Sequence, residues 1–189
     1  MSRAYRIKVR QSLDRTIRAE DSVSTRLEIL EVLPADQMAG LLAAELAAGG
    51  YQRDGDGLVR KQDGVVIRVN PATGEVVVRA EACDDIRLEA TREGVAFDEE
   101  GESAKVTRDH MQRDLQSDLD KKAKAQEAAL QQQVTDQLEG RLVDLSRELD
   151  GAVNRATAEA LKIRAAQLGR IKEISEDRDA GSLTIVVEV

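Results

Sequence analysis

The stretch from Val134 to Ile163, VTDQLEGRLVDLSRELDGAVNRATAEALKI, decides the fold. Its apolar residues fall at Val134, Leu138, Leu142, Leu145, Leu149, Val153, Ala156, Ala160 and Ile163. The steps between them are three or four residues, the spacing of one face of an α-helix. Proline is absent from residues 104–168, where Ala, Leu, Gln, Glu, Lys and Arg dominate. All six are strong helix formers. Over most of the stretch the spacing is nearer to about eleven residues in three turns than to seven in two, which gives an almost straight or slightly right-handed seam. Residues 104–168 hold eleven basic and eleven acidic side chains, interleaved as an exposed helix uses them for i,i+4 pairing. A helix of this kind standing alone leaves its apolar stripe wet. Leu138, Leu142, Leu145, Leu149, Val153, Ala156, Ala160 and Ile163 are therefore the candidate interaction residues. Their expected cover is another helix, in a homo-oligomer (a dimer first) or in a partner protein.

Upstream, Met111, Leu115 and Leu119 continue the stripe. Residues 121–133 are thin, with Ala123, Ala128, Ala129 and Leu130 among their few apolar residues, and offer the best place for a bend. A continuous helix over residues 107–168 spans roughly 93 Å at 1.5 Å per residue. That separates the tail from the N-terminal part of the same chain. Two arrangements resolve this: an αα-hairpin folded near residues 121–133, or two chains paired antiparallel with each tail on its partner. Gly140 and Gly151, eleven residues apart, share a helix face. They read either as tolerated glycines or as a place for close backbone approach. Asn154 either faces the seam and fixes register or faces water.

Residues 1–100 read as a small α+β domain. Tyr5, Ile7 and Val9 alternate with Arg6, Lys8 and Arg10, the period of a half-covered strand. Further strands are expected near residues 15–20 and 26–32. Pro34 stops the extended run, Asp36 is the expected N-cap, and Met38, Leu41, Leu42 and Leu46 follow at helical spacing. Gly49-Gly50 ends that helix. Residues 64–79 form a β-hairpin about the turn Asn70-Pro71-Ala72-Thr73-Gly74. Weaker strands are expected at residues 86–89 and 95–97. A charged break at residues 98–102 marks the boundary with the helical region, residues 101–168. Gly169 caps the helix, and residues 169–189 form a β-hairpin rich in β-branched residues. Two strands are barely stable alone, so the hairpin must pack on a sheet of its own chain or of a partner. The fold class is α+β: a small antiparallel-sheet head with one short helix, a long helix or αα-hairpin, and a C-terminal β-hairpin.

The whole chain has 189 residues and a net charge of −8. The one basic cluster, Lys121-Lys122-Lys124, is flanked by Asp118, Asp120 and Glu127, so a solvated helix face is expected and nucleic acid is not an expected partner. Aromatics are 2% of the chain, too few for base-stacking platforms. No run of about 18 apolar residues is present, so no membrane insertion is expected. The N-terminus lacks the apolar core of a signal peptide. One cysteine, Cys83, fits a reducing, cytoplasmic setting.

Candidate chemistry is sparse. His110 and Asp114 form an i,i+4 pair, two ligands where a metal site needs three or four. Cys83 has no histidine near it in sequence and reads as a small, partly buried residue. Asp54-Gly55-Asp56-Gly57 lacks the terminal bidentate glutamate of a calcium loop and reads as a polar turn. Phosphate-binding loops, dinucleotide fingerprints and nucleophile elbows are missing. The expectation is a protein without a catalytic site, cofactor or metal.

Both ends of the chain carry a resemblance. Ser2-Arg3-Ala4-Tyr5-Arg6-Ile7-Lys8-Val9-Arg10 and Leu27-Glu28-Ile29-Leu30-Glu31-Val32-Leu33-Pro34 contribute at the start. At the end, Val153-Asn154-Arg155-Ala156-Thr157-Ala158-Glu159-Ala160-Leu161-Lys162, Gly169-Arg170-Ile171 and Gly181-Ser182-Leu183-Thr184-Ile185 contribute. Together they resemble a bacterial family encoded beside AAA+ ATPases, in FtsH or MoxR/von Willebrand A ternary-system gene clusters. The resemblance implies a cytoplasmic accessory component of a multi-protein system, with an ATPase as a possible partner, and supplies no catalytic motif. The functional expectation is a structural or adaptor component acting through its helical region. A client-binding holdase or regulatory subunit is the alternative, and an enzyme with a carboxylate or metal site the more distant one.

Overall fold

The computed structural model describes residues 4–97, 101–177 and 182–188. Nine elements follow in order: β1 (Tyr5–Arg26), α1 (Ala35–Ala48), β2 (Gln52–Asp54), β3 (Gly57–Gln62), β4 (Val65–Val69), β5 (Glu75–Ala96), α2 (Glu102–Leu168), β6 (Arg170–Asp177) and β7 (Ser182–Glu188). Strands β1 to β5 make one sheet in the order β1-β5-β4-β3-β2, and β6 and β7 make a second, two-stranded one. The chain divides into two compact units, neither of them a contiguous stretch. One comprises Met1–Asp21 and Glu81–Asp136, the other Ser22–Ala80 and Gln137–Val189.

The first unit is a two-stranded ribbon with a helix on one face. Lys8 pairs with Glu93 at 3.5 Å, Asp14 with Arg87 at 2.8 Å, and Thr16 with Asp85 at 2.6 Å. As the β1 number rises the β5 number falls in step, the register of antiparallel strands. All these pairs lie on the wet face. The other face carries odd residues of β1 and even residues of β5. Ile7, Val9, Ala96, Ala104, Met111 and Leu115 form one cluster there, and Ile17, Ile86 and Ala123 another, with Leu13, Leu88 and Leu130 against it. Period two in the strands and steps of four in the helix thus converge on one apolar layer. Cys83, an odd residue of β5, is exposed and not partly buried as the sequence suggested. Parity sends its side chain away from the helix.

In the second unit β2, β3, β4 and the start of β5 form a meander. Leu58 lies opposite Val69, Ile67 opposite Val78, and Val69 opposite Val76. The β3–β4 connection is the two-residue loop Asp63-Gly64, with φ of 50° and 76°. Two successive positive φ values match the twist of the flanking strands, which is why Asp-Gly is favoured there. The Asn70 to Gly74 turn closes β4 onto β5, as expected. Asn70 Oδ1 accepts from the backbone N–H groups of Ala72 (3.0 Å) and Thr73 (3.3 Å), an Asx turn. The calcium-loop look-alike Asp54-Gly55-Asp56-Gly57 is the β2–β3 turn, Asp54 lying opposite Gly57.

Helix α1 spans the expected residues, but Pro34 and not Asp36 is its N-cap. No side chain caps it, and Asp36 sits in the first turn, where a negative charge still favours the dipole. Met38, Leu42 and Leu46 are its buried residues. Met38 packs with Leu33 and Ala160, so α1 and the last turns of α2 share a core.

Three expectations need correction. The strands expected separately at residues 15–20 and 26–32 are not separate: β1 is one 22-residue strand, and residues 27–33 lie outside any strand. Residues 86–89 and 95–96 likewise belong to the single strand β5, and Phe97 lies just beyond its end. Helix α2 runs unbroken over 67 residues, so there is no αα-hairpin near residues 121–133. The thin stretch stays helical because Ala123 and Leu130 are already covered by Ile17 and Ile86 of the ribbon.

Candidate interaction site

Within the second unit, polar side chains at the sheet rim fasten the sheet to the part of α2 that belongs to that unit. Arg60, on β3, donates from both terminal nitrogens to Glu148 of α2, at 2.6 and 2.7 Å. It also donates to the Gly49 carbonyl at 3.1 Å and lies 4.5 Å from the centroid of the Tyr51 ring. One guanidinium thus ties together a strand, the end of α1 and the long helix. This is the bidentate and stacked geometry that arginine alone provides. The hydrogen bond to Glu148 holds the guanidinium charged and pushes its pKa up. Burial pushes the Tyr51 phenol up to about 12; the Arg60 charge opposes this and Glu148 adds to it. Arg155 donates to Glu45 of α1 at 2.6 Å. Arg141 pairs with Asp63, and the Gln137 amide donates to the Asp63 carbonyl. The charges neutralise one another, whereas the Arg60 Nε and the Tyr51 hydroxyl are buried without a hydrogen-bond partner among the described residues.

Beside this clamp lies an apolar groove of about 590 Å³. One wall is Leu142, Leu145, Leu149 and Val153 of α2, and the other Leu27, Val76 and Val78. Ser146, Asp150 and Asn154 form the polar lip on the helix side, with Arg26 and Glu28 opposite. Asn154 therefore faces water at the lip and does not lie in a seam.

The candidate interaction residues meet different fates. Leu138, Leu145, Leu149, Ala156 and Ala160 are buried by the chain's own second unit. Leu142 and Val153 are half-buried along the groove. Ile163 is 39% exposed. Val134, Leu145 and Ala156 are eleven residues apart, as are Leu138, Leu149 and Ala160, and all six are buried. The eleven-residue reading of the stripe holds. Gly140 has open space about it, and a Cβ on Gly151 would touch only Arg155, at 3.4 Å. Both are tolerated glycines and not points of close approach.

Sequence reasoning missed Arg60, Glu148 and Tyr51. Asp63-Gly64 was the available signal for the β3–β4 hairpin that presents Arg60. Nothing local linked Arg60 to Glu148, 88 positions away. His110 Nδ1 lies 3.0 Å from Asp114, and Asp114 also accepts from Arg92 at 2.5 Å. That carboxylate is engaged in an exposed ion-pair cluster.

A family model, FtsH ternary system domain X5, matches residues 1–189. The chain belongs to that family. The match spans both units, so the ribbon, the clamp and the groove all fall within the family domain. The resemblance read from the two ends of the sequence is thereby confirmed on the FtsH side, and with it the association with an FtsH ternary system. No curated protein and no solved structure matches the chain. Among the described residues, no helix is long and apolar enough to cross a membrane.

Proposed function

We propose that the chain is a non-catalytic structural or adaptor component of its FtsH-associated system and acts by binding another protein. The observation that carries this reading is the groove beside α2. Its helix wall contains Leu142 and Val153, the two stripe residues that the chain leaves half-covered. An apolar wall with a polar lip is the composition of a protein-binding cleft. The deeper stripe residues act inside the chain, so the binding surface is this narrower strip and not the whole helix. The ionisable groups beside it form a structural clamp, with guanidinium and carboxylate neutralising each other.

Co-purification with an FtsH-type ATPase of the same organism tests the proposal. The unmodified chain is expected to be retained. Ser146→Arg with Asn154→Arg, two exposed lip positions, is expected to reduce retention without unfolding the protein. No retention of the unmodified chain would overturn the reading.

A client-binding role has its own support in exposed apolar side chains. Phe97 and Val106 in the first unit are 70% and 62% exposed, and Leu30 and Leu168 in the second are as open. Suppression of aggregation of a denatured client at stoichiometric ratio would favour that role.

A further inference from the structure

We infer that the free edge of β5 in the first unit receives an extended acidic peptide strand of a partner protein, docked beside Lys121 and Lys122. This rests on the reading above that the chain works through protein contact.

The edge is open by topology. β4 pairs with β5 only between Val76 and Ala80. Beyond that point, within the first unit, β1 is the one strand flanking β5 among the described residues. Unpaired N–H and C=O groups along such an edge are a template for another strand.

A hollow of about 590 Å³ lies along this edge. It is lined by four consecutive residues of β5, 89 to 92, and by Leu115, Asp118, Lys121 and Lys122 of α2. Residues of both parities line it, so the hollow is not confined to one face of the sheet. No residue of β1 takes part, so the edge is the one facing away from β1. A strand laid there would extend the ribbon to three strands and sit over the flank of α2.

Charge selects the peptide. Glu89 is paired with Arg10, and Arg92 with Asp114 and Asp118 at 2.5 and 3.3 Å. Lys121 and Lys122 line the same hollow, exposed and without a carboxylate partner among the described residues. With one arginine set against two aspartates, the two lysines leave the lip a single positive charge in surplus, on a chain whose net charge is −8. An acidic strand meets that lip, whereas a basic one meets its surplus of like charge.

The test uses the full chain and a labelled, end-capped peptide of alternating valine and glutamate, followed by fluorescence anisotropy. Saturable binding is expected, weakened by roughly tenfold or more in Lys121→Glu/Lys122→Glu. Both lysines are exposed, so unchanged circular dichroism should accompany the loss. A peptide N-methylated on alternate residues, unable to complete the ladder, should not bind. Equal binding of a valine–lysine peptide, insensitivity to N-methylation, or no binding at all would overturn the proposal. So would concentration-dependent self-association abolished by the lysine reversals, which would make the occupant a second copy. Retention by the ATPase is read separately. If it survives while the peptide fails, the edge is refuted and the adaptor reading stands; the converse refutes the adaptor reading alone.

Discussion

Arg60 and Glu148 form a two-pronged ion pair, 2.6 and 2.7 Å long, between β3 and α2. The arginine is 18% exposed and the glutamate 41%. Arg60→Lys keeps the charge but loses the fork and the contact with Tyr51. It is expected to lower stability by about 1–2 kcal/mol, reduced from the value of a fully buried pair because solvent reaches Glu148. Urea unfolding measures this, and an unchanged midpoint would reduce the clamp to an ordinary surface pair.

Tyr51 provides a pH signature for the same cluster. Its phenol is pushed up to about 12, burial being the main cause. The folded protein therefore keeps a proton that the unfolded chain gives up near its ordinary value of about 10. The stability contributed by this group is complete below that value and is lost as pH rises towards 12. Phenolate absorbance, compared between the wild type and Tyr51→Phe, should place its titration near 12. An ordinary midpoint would show the ring to be solvated.

The glycines divide by geometry. Gly140→Ala, in helix and in open space, is expected to stabilise by about 1 kcal/mol. Gly74 has φ of 73°, and a Cβ there would lie 2.9 Å from the Leu27 carbonyl oxygen. Gly74→Ala is expected to cost more than about 1 kcal/mol. Thermal denaturation of the two variants should shift in opposite directions.

Two members of one apolar stripe should behave differently. Leu149, 2% exposed, sits in a packed layer, and Leu149→Ala is expected to cost about 2–5 kcal/mol. Ile163→Ala, at a far more open site, is expected to cost much less. Equal losses at both positions would mean that Ile163 is covered in solution by something outside the chain.

Much of this fold was legible in the sequence, and the failures share a cause. Helix α1, the hairpin about Asn70 to Gly74, the long helix and the terminal hairpin all follow from local period and turn chemistry. The full length of β1 and β5 did not. Inward positions of β1 include Gln11 and Arg15 beside Ile7, Val9 and Ile17. A single helix covers that face only along a strip, so polar residues are tolerated within it and the alternation looks broken. The unbroken helix was obscured in the same way. Residues 121–133 look too poor in large apolar groups to stay helical alone, yet a small residue such as Ala123 is what close packing on the ribbon requires. The Arg60–Glu148 clamp was illegible for a different reason: its members are remote in sequence and only tertiary structure joins them.

The first unit pairs two different counting systems, and this restricts how such a domain can change length. Along β1 and β5 the inward side alternates strictly, so one inserted residue inverts everything after it. Along α2 the inward face recurs after eleven residues, as from Ala104 to Leu115 and from Ala123 to Val134. Eleven helical residues rise about 16.5 Å, the length of roughly five strand residues, an odd number. An addition that respects both is about 22 residues of helix against ten in each strand. Natural insertions within this ribbon should therefore be rare, paired across three distant places in the sequence, and long; single-residue changes belong in the turns.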